Sequence, residues 1–135
     1  MQELKIILKK FLLFLYEINF FTFVFYCKGL FFLEKARTPL EIYEKFYLKF
    51  LKIKRKNCKI IKITKNKIVT RCNNPCPILG LANFIEKDTK EVCKKISEPV
   101  CVYVLKKMNK KAKFFRNYKK IRPHAKYCEE TILLK

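Results

Sequence analysis

The sequence predicts an α+β fold: a helix, a β-hairpin, short helices and a C-terminal strand in one small domain, preceded by an apolar N-terminal helix. Three observations support this prediction. Helix-start signals at two positions precede apolar residues at helical spacing. Two short β-rich runs flank a polar turn. The chain has 135 residues, half of them hydrophobic, which suits one domain with its own core.

Residues 1–36 form an apolar, aromatic-rich segment that we expect to be helical. Its central run, residues 11–33, has the length of a membrane span, with basic residues on both sides and Glu17 near the middle. Three interpretations stay open: a membrane anchor, an aromatic helix covered by the domain or a partner, and a spurious extension translated upstream of the true start. Residues 37–135 are predicted to be the basic, cysteine-containing domain.

The domain is expected to open with a helix from residue 39 to about 55. Thr38 supplies an N-cap, Pro39 occupies the first helical position, and Glu41 completes a capping box. Apolar residues then recur at helical spacing: Leu40, Tyr43, Phe46, Tyr47, Phe50 and Leu51.

Two strands, residues 58–64 and 68–72, are predicted to form a hairpin. Asn66 in the loop between them can adopt the left-handed conformation that a three-residue loop needs. Ile61 and Ile63 fall on one face of the first strand, with lysines on the other.

The second half alternates short helices with strands. We expect a helix over residues 78–86 and another that begins near Asp88 and ends before Pro99, because proline interrupts helical hydrogen bonds. The β-branched residues of 100–105 favour a strand there. Residues 131–134 are predicted to form the last strand. One set of apolar residues fits a single helical face: Phe114, Phe115, Tyr118 and Ile121.

The charge balance attracts polyanions, but its functional meaning is open. The formal net charge is +21, from 32 basic and 11 acidic residues. Lysine far outnumbers arginine, which also fits a plain solvated surface. Residues 106–126 are basic and carry Phe114, Phe115 and Tyr118, which, with the adjacent Tyr127, either stack on bases or pack in the core. With two glycines, the chain has no dinucleotide fingerprint, P-loop or nucleophile elbow.

Seven cysteines, an odd number without a secretory pattern before them, favour a reducing cytoplasmic setting, with membrane association if residues 11–33 are an anchor. Clustered cysteines there bind metal, react or pack. Cys76, held between two prolines, is the candidate catalytic thiol. The candidate ligands for zinc or an iron–sulfur cluster are Cys72, Cys76, Cys93 and Cys128, with Cys101 in the same set. Cys27 and Cys58 are expected to be structural, and His124 to be exposed.

Four motifs carry a resemblance to known proteins: RCNNPCP at 71–77, EVC at 91–93, IRP at 121–123 and YCEE at 127–130. In these residues the chain resembles small archaeal and bacterial proteins of unknown role, which are similar to the L-2-amino-thiazoline-4-carboxylic acid hydrolase-like family. The resemblance implies an α+β domain in which Cys76, Cys93 and Cys128 approach one another around a pocket.

Two classes of function follow from these patterns. In the first, the cysteines form a site for a small-molecule ligand, a metal or a reactive thiol. In the alternative, the lysines bind an anionic polymer such as nucleic acid, or an acidic lipid surface. A second copy of the chain is a further candidate partner. Neither class of function decides whether the protein is an enzyme.

Overall fold

The computed structural model describes residues 1–31 and 34–135 and confirms the α+β class, with helices packed on a four-stranded antiparallel sheet. The helices are α1 (Gln2–Phe31), α2 (Pro39–Ile42), α3 (Pro77–Phe84), α4 (Thr89–Val92) and α5 (Glu98–Met108). The strands are β1 (Cys58–Ile63), β2 (Lys67–Cys72), β3 (Ala112–Arg116) and β4 (Cys128–Leu134), in the sheet order β1-β2-β4-β3.

The helix predicted from residue 39 begins as expected and ends early. Thr38 Oγ1 accepts from the Glu41 N–H at 3.2 Å, and α2 continues as a π-helical segment, Tyr43–Phe50. It ends at Phe50 rather than near 55 because Lys52 takes a left-handed φ of 55° and the Ile53 N–H turns back to the Tyr47 carbonyl. Tyr43, Phe46, Tyr47 and Phe50 are buried, whereas Leu40 is exposed.

The hairpin prediction is confirmed, with β1 at one edge of the sheet. Its register shifts between Ile60 and Lys62, so β1 is irregular there. Ile61 and Ile63 are 45% and 44% exposed, because helices cover β2 and β4 more fully than this edge. The last strand begins at Cys128, three residues before its predicted start.

The strand predicted for residues 100–105 is wrong. α4 runs on through a π-helical segment, Cys93–Ser97, into α5, and Pro99 lies in the first turn of α5, where a missing N–H is tolerated. The residues that α5 buries follow helical spacing, and this packing outweighs their β-branched preference. They are Val100, Cys101, Val104, Leu105 and Met108.

The helical face predicted around residue 114 is also wrong, because the chain there is strand β3. Phe114 is buried and Phe115 is 52% exposed, as expected for adjacent residues on opposite faces of a sheet. Ile121 is buried in the loop that follows β3.

The N-terminal segment is helical as predicted. Residues 2–12 of α1 are exposed, while Gly29 packs against α5: a Cβ added there would lie 3.1 Å from Val104 Cγ2. Residues 32 and 33 of the predicted anchor lie outside the described residues. Among the residues that are described, no helix combines the length and apolarity needed to cross a bilayer.

Side chains on the buried face of the sheet form three rows, since directly paired residues of antiparallel strands project to the same side. An apolar row contains Ile68, Ile132 and Phe114. A polar row contains Thr70, Glu130 and Arg116. The third, which we call the thiol row, contains Cys58, Cys72 and Cys128. Along the strands, the buried face of the sheet therefore changes from apolar to polar side chains and then to thiols. The candidate site lies at the polar and thiol rows.

Candidate functional site

A cavity of about 140 Å³ lies between the sheet and the helical segments that cover it. Two arginines and one glutamate line it, Arg116, Arg122 and Glu130. Five cysteines share the lining, and among them are all four predicted metal ligands and the candidate catalytic thiol. These five are Cys72, Cys76, Cys93, Cys101 and Cys128.

Local structure explains why cysteines far apart in sequence meet here. Cys72 ends β2 and Cys128 begins β4, and the strand register pairs them directly. Cys76 caps the N-terminus of α3, immediately after the turn that leaves β2. Cys93 and Cys101 are eight residues apart on the continuous helix over α4 and α5, and both are buried. Strand register and one helical face thus bring these cysteines together, which their spacing in the sequence does not show.

Cys128 has the most polar surroundings that the structure gives to a cavity sulfur. The backbone N–H of Arg122 donates to Cys128 Sγ at 3.5 Å, and its Nε donates at 3.3 Å. Arg122 Nη1 donates to the Asn74 carbonyl, which fixes the guanidinium between the turn after β2 and the start of β4. Two N–H donors, one of them on a guanidinium, therefore point at this sulfur.

Three of the other cavity thiols are held in their protonated form. Burial raises the pKa of Cys93 to about 12 and that of Cys101 to about 11. The pKa of Cys72 is raised further, first by its hydrogen bond with Cys58 and then by burial. These thiols are poor nucleophiles near neutral pH. Cys76 and Cys128 are only partly buried.

A buried ion pair that the sequence analysis missed forms the polar side of the cavity. Arg116 Nη2 lies 3.1 Å from Glu130 Oε2, and the two side chains are 7% and 8% exposed. Burial opposes the charge on Arg116, but the Glu130 carboxylate holds the pKa of that guanidinium well above its ordinary value. Arg116 Nη2 also donates to Ser97 Oγ at 3.3 Å, whereas its Nη1 is buried without a hydrogen-bond partner.

A sequence signal for this pair exists. Glu130 alternates with Cys128 and Ile132, and Arg116 alternates with Phe114, so each charged residue falls on the inward face of its strand. If residues 112–116 are assigned to a strand and the last strand starts at residue 128, this alternation places both charged side chains on the buried face of the sheet.

The metal prediction gains no support from the geometry. Among residues 1–31 and 34–135, no group of three or more His, Cys, Asp or Glu side chains is arranged to hold a metal ion. His124 is half-exposed as expected, with Nε2 3.5 Å from Asp88 Oδ2.

The aromatic residues within the basic segment are partly engaged elsewhere. Phe114 packs in the core, and the Tyr118 hydroxyl donates to Glu98 Oε2 at 2.5 Å. The Tyr127 ring lies 4.5 Å from the Arg71 guanidinium. Phe115 is the exposed member of the set. These contacts favour a structural role for most of the aromatic residues.

The cavity combines partly buried thiols, a paired arginine with one free donor, and apolar walls. Such a lining can bind a small polar molecule and place it beside a nucleophilic sulfur. Comparison with protein-family models, with curated proteins and with solved structures finds no match to this chain.

Proposed function

We propose that the cavity binds a small anionic molecule and that Cys128 is the reactive thiol beside it. The observation that carries the proposal is the pair of N–H groups that Arg122 directs at Cys128 Sγ within a cavity. Thiolates are the reactive form of cysteine, and neighbouring cations stabilise them. Of the predicted residues, Cys128 therefore has better chemical support than Cys76 or Cys93.

The charges of the lining favour an anion as ligand. Arg116 and Arg122 contribute two positive charges and Glu130 one negative charge, so the charged lining carries one net positive charge. Arg116 Nη1 lacks a partner inside the protein, and an unsatisfied buried donor costs about 1–3 kcal/mol. An oxyanion or carboxylate on the ligand would supply the missing acceptor.

The volume limits the size of the ligand. A water needs roughly 10–15 Å³ of such space, so a cavity of about 140 Å³ admits a molecule of only several heavy atoms. The apolar side chains of Leu51, Ile53 and Val100 also line it and would contact the rest of the ligand.

Competitive alkylation tests the proposal. Iodoacetate and iodoacetamide are nearly equal in size and differ in charge; each forms a Cys128 Sγ–carbon bond as iodide leaves with the electrons of the broken carbon–iodine bond. We expect Cys128 to be the first thiol modified. A charge-assisted hydrogen bond is worth about 1.5–3 kcal/mol, so the folded protein should favour iodoacetate by roughly 10- to 100-fold relative to the unfolded chain.

Two variants provide the control. Arg122→Gln removes the guanidinium donor and should slow alkylation of Cys128 by both reagents. Arg37→Gln removes the same charge from an exposed position and should leave the rates unchanged. Equal modification of all partly buried cysteines, with no preference for the anionic reagent, would contradict the proposal.

A second candidate, binding to acidic lipid, has one specific observation in its favour. Residues 2–12 of α1 are exposed and mix Leu and Ile residues with Lys5, Lys9 and Lys10, a composition that suits the surface of an anionic membrane. Sedimentation with phosphatidylserine vesicles should then be lost with phosphatidylcholine vesicles and at high salt. Equal binding to both vesicle types would rule this candidate out.

A further inference from the structure

The thiol row has a feature that ligand binding at Cys128 does not use. Cys58 and Cys72 are directly paired across β1 and β2, and their sulfurs are 2.7 Å apart. Non-bonded heavy atoms usually keep about 3.5–4.0 Å, and a disulfide bond measures about 2.05 Å. A shift of less than about 1 Å would therefore bring the two sulfurs to bonding distance.

The surroundings hold the two thiols in this position. Cys58 and Cys72 are 1% and 2% exposed. The Tyr43 hydroxyl donates to the Cys58 carbonyl at 2.7 Å, which ties the start of β1 to the helix beside it. Strand pairing fixes the backbone of Cys72 on both sides, to β1 and to β4. The close approach of the sulfurs is thus imposed by the sheet and its cover.

A route from the cavity to the pair runs along the same row. Cys72 lines the cavity, and Cys128, its partner on β4, is partly buried and carries the Arg122 donors. Cys58 lies on the far side of Cys72, in contact with its sulfur. A small reagent in the cavity therefore meets Cys128 and Cys72 before Cys58.

We propose that Cys58 and Cys72 are a redox-active dithiol, oxidised to a disulfide by a small peroxide that reacts first at Cys128. The Cys128 thiolate attacks one peroxide oxygen, giving a sulfenic acid and, for hydrogen peroxide, one water once a proton is taken up. The Cys72 thiol is a poor nucleophile toward free reagents, but strand pairing holds it beside Cys128. Its sulfur then displaces the sulfenic hydroxyl, which leaves as a second water with the Cys72 proton. Cys58 finally attacks Cys72, and Cys128 leaves as the thiol with the Cys58 proton.

The net reaction is balanced: two thiols and one hydrogen peroxide give one disulfide and two waters. Cys128 is a suitable leaving group because two Arg122 N–H groups donate to its sulfur. In a reducing compartment such a bond is transient, and thiol reductants would restore the dithiol. The entry step rests on the proposed reactivity of Cys128, whereas the product joins Cys72 of the cavity lining to Cys58 outside it.

Mapping the oxidised product of the full-length protein tests this inference. The reduced protein is treated with one equivalent of hydrogen peroxide, quenched in acid, unfolded, blocked with N-ethylmaleimide and digested for mass spectrometry. We expect a linked peptide pair containing Cys58 and Cys72, the loss of two of the seven titratable thiols, and recovery of all seven after dithiothreitol.

Variants test separately whether oxidation begins at Cys128 and whether its product is the Cys58–Cys72 disulfide. Cys128→Ser should form the same disulfide more slowly, by about tenfold or more, since its attacking thiolate is gone. Cys58→Ser should stop at a Cys72–Cys128 disulfide. Cys27→Ser removes a thiol of α1 that does not line the cavity and should change neither the rate nor the product.

The outcomes also separate this inference from the ligand proposal. If peroxide leaves Cys58 and Cys72 open to N-ethylmaleimide in the unfolded wild type, the dithiol inference is refuted, whatever the alkylation rate of Cys128. If the disulfide forms equally fast without Cys128, the pair stands and the entry route through Cys128 is wrong.

Discussion

Removing one partner of the buried Arg116–Glu130 pair should cost more stability than removing one partner of an exposed ion pair. Glu130→Gln keeps the shape of the side chain and one acceptor but removes the charge that faces Arg116 at 3.1 Å. Both side chains are less than a tenth exposed, so bulk water has little access to the position of the lost partner. Breaking a buried pair by removing one member costs about 3–5 kcal/mol, a large part of the 5–15 kcal/mol typical of a folded domain.

Urea unfolding measures this loss. With a slope of about 1–3 kcal/mol per molar urea, the unfolding midpoint of Glu130→Gln should fall by roughly 1–5 M. Glu44→Gln removes the same charge from an exposed position and should change stability by less than about 0.5 kcal/mol. Replacing both partners, Arg116→Met with Glu130→Leu, should recover part of the loss because no unpaired charge stays buried.

A small loss of stability in Glu130→Gln would contradict the view that this variant leaves Arg116 buried without a partner. If Glu130→Gln loses less than about 1 kcal/mol, Arg116 is finding water or another acceptor in the folded protein. The polar row would then be hydrated, and the argument that Arg116 Nη1 awaits a ligand acceptor would fail with it.

Three further predictions follow from single contacts. Tyr43→Phe removes the hydroxyl that donates to the Cys58 carbonyl at 2.7 Å and should cost about 1–2 kcal/mol in urea unfolding; no loss would show that this bond is not made in solution. Ile132→Ala, at the centre of the apolar row and fully buried, should cost about 2–5 kcal/mol, and a loss below about 1 kcal/mol would contradict the packing described. Hydrogen bonds from Asn117 and Arg71 hold the pKa of Glu129 below its ordinary value; its contribution is therefore present above the unfolded pKa of about 4.3 and lost as pH falls through the folded pKa. The urea midpoint of Glu129→Gln should decline less than that of the parent between about pH 6 and pH 3, and parallel declines would contradict the assignment.

The parts of the fold that depend on local signals could be predicted from the sequence. Thr38 and Asp88 cap their helices as expected, each accepting a backbone N–H within the first turn. Caps act over three or four residues, so neighbouring sequence is sufficient to identify them. The hairpin of β1 and β2 follows the same logic, since its loop and strands are adjacent in the chain.

The errors arose where distant contacts decide. Residues 100–105 have strand propensity, but α5 buries Val100, Cys101, Val104 and Leu105 at helical spacing, and propensity is a weak prior beside packing. Pro99 was expected to end the preceding helix, yet it falls in a first turn after a π-helical segment. Neither feature follows from the residues immediately around it.

The candidate site was predicted in part. The cysteines at 72, 76, 93, 101 and 128 were singled out by their number and setting, and all five line the cavity. Their geometry depends on strand register, which a single sequence does not fix. Arg116 and Glu130 were overlooked because charged residues are usually exposed, and only their inward positions on β3 and β4 distinguish them.

The irregular edge of the sheet affects how copies of this protein meet. β1 presents unpaired backbone groups and three partly exposed isoleucines, Ile60, Ile61 and Ile63, a combination that invites strand-to-strand association. The register shift after Ile60 interrupts a regular hydrogen-bonding edge, and Lys59 and Lys62 would bring like charges together across any symmetric contact. On this edge, the lysine-rich composition protects the fold from aggregation whether or not it also attracts an anionic partner.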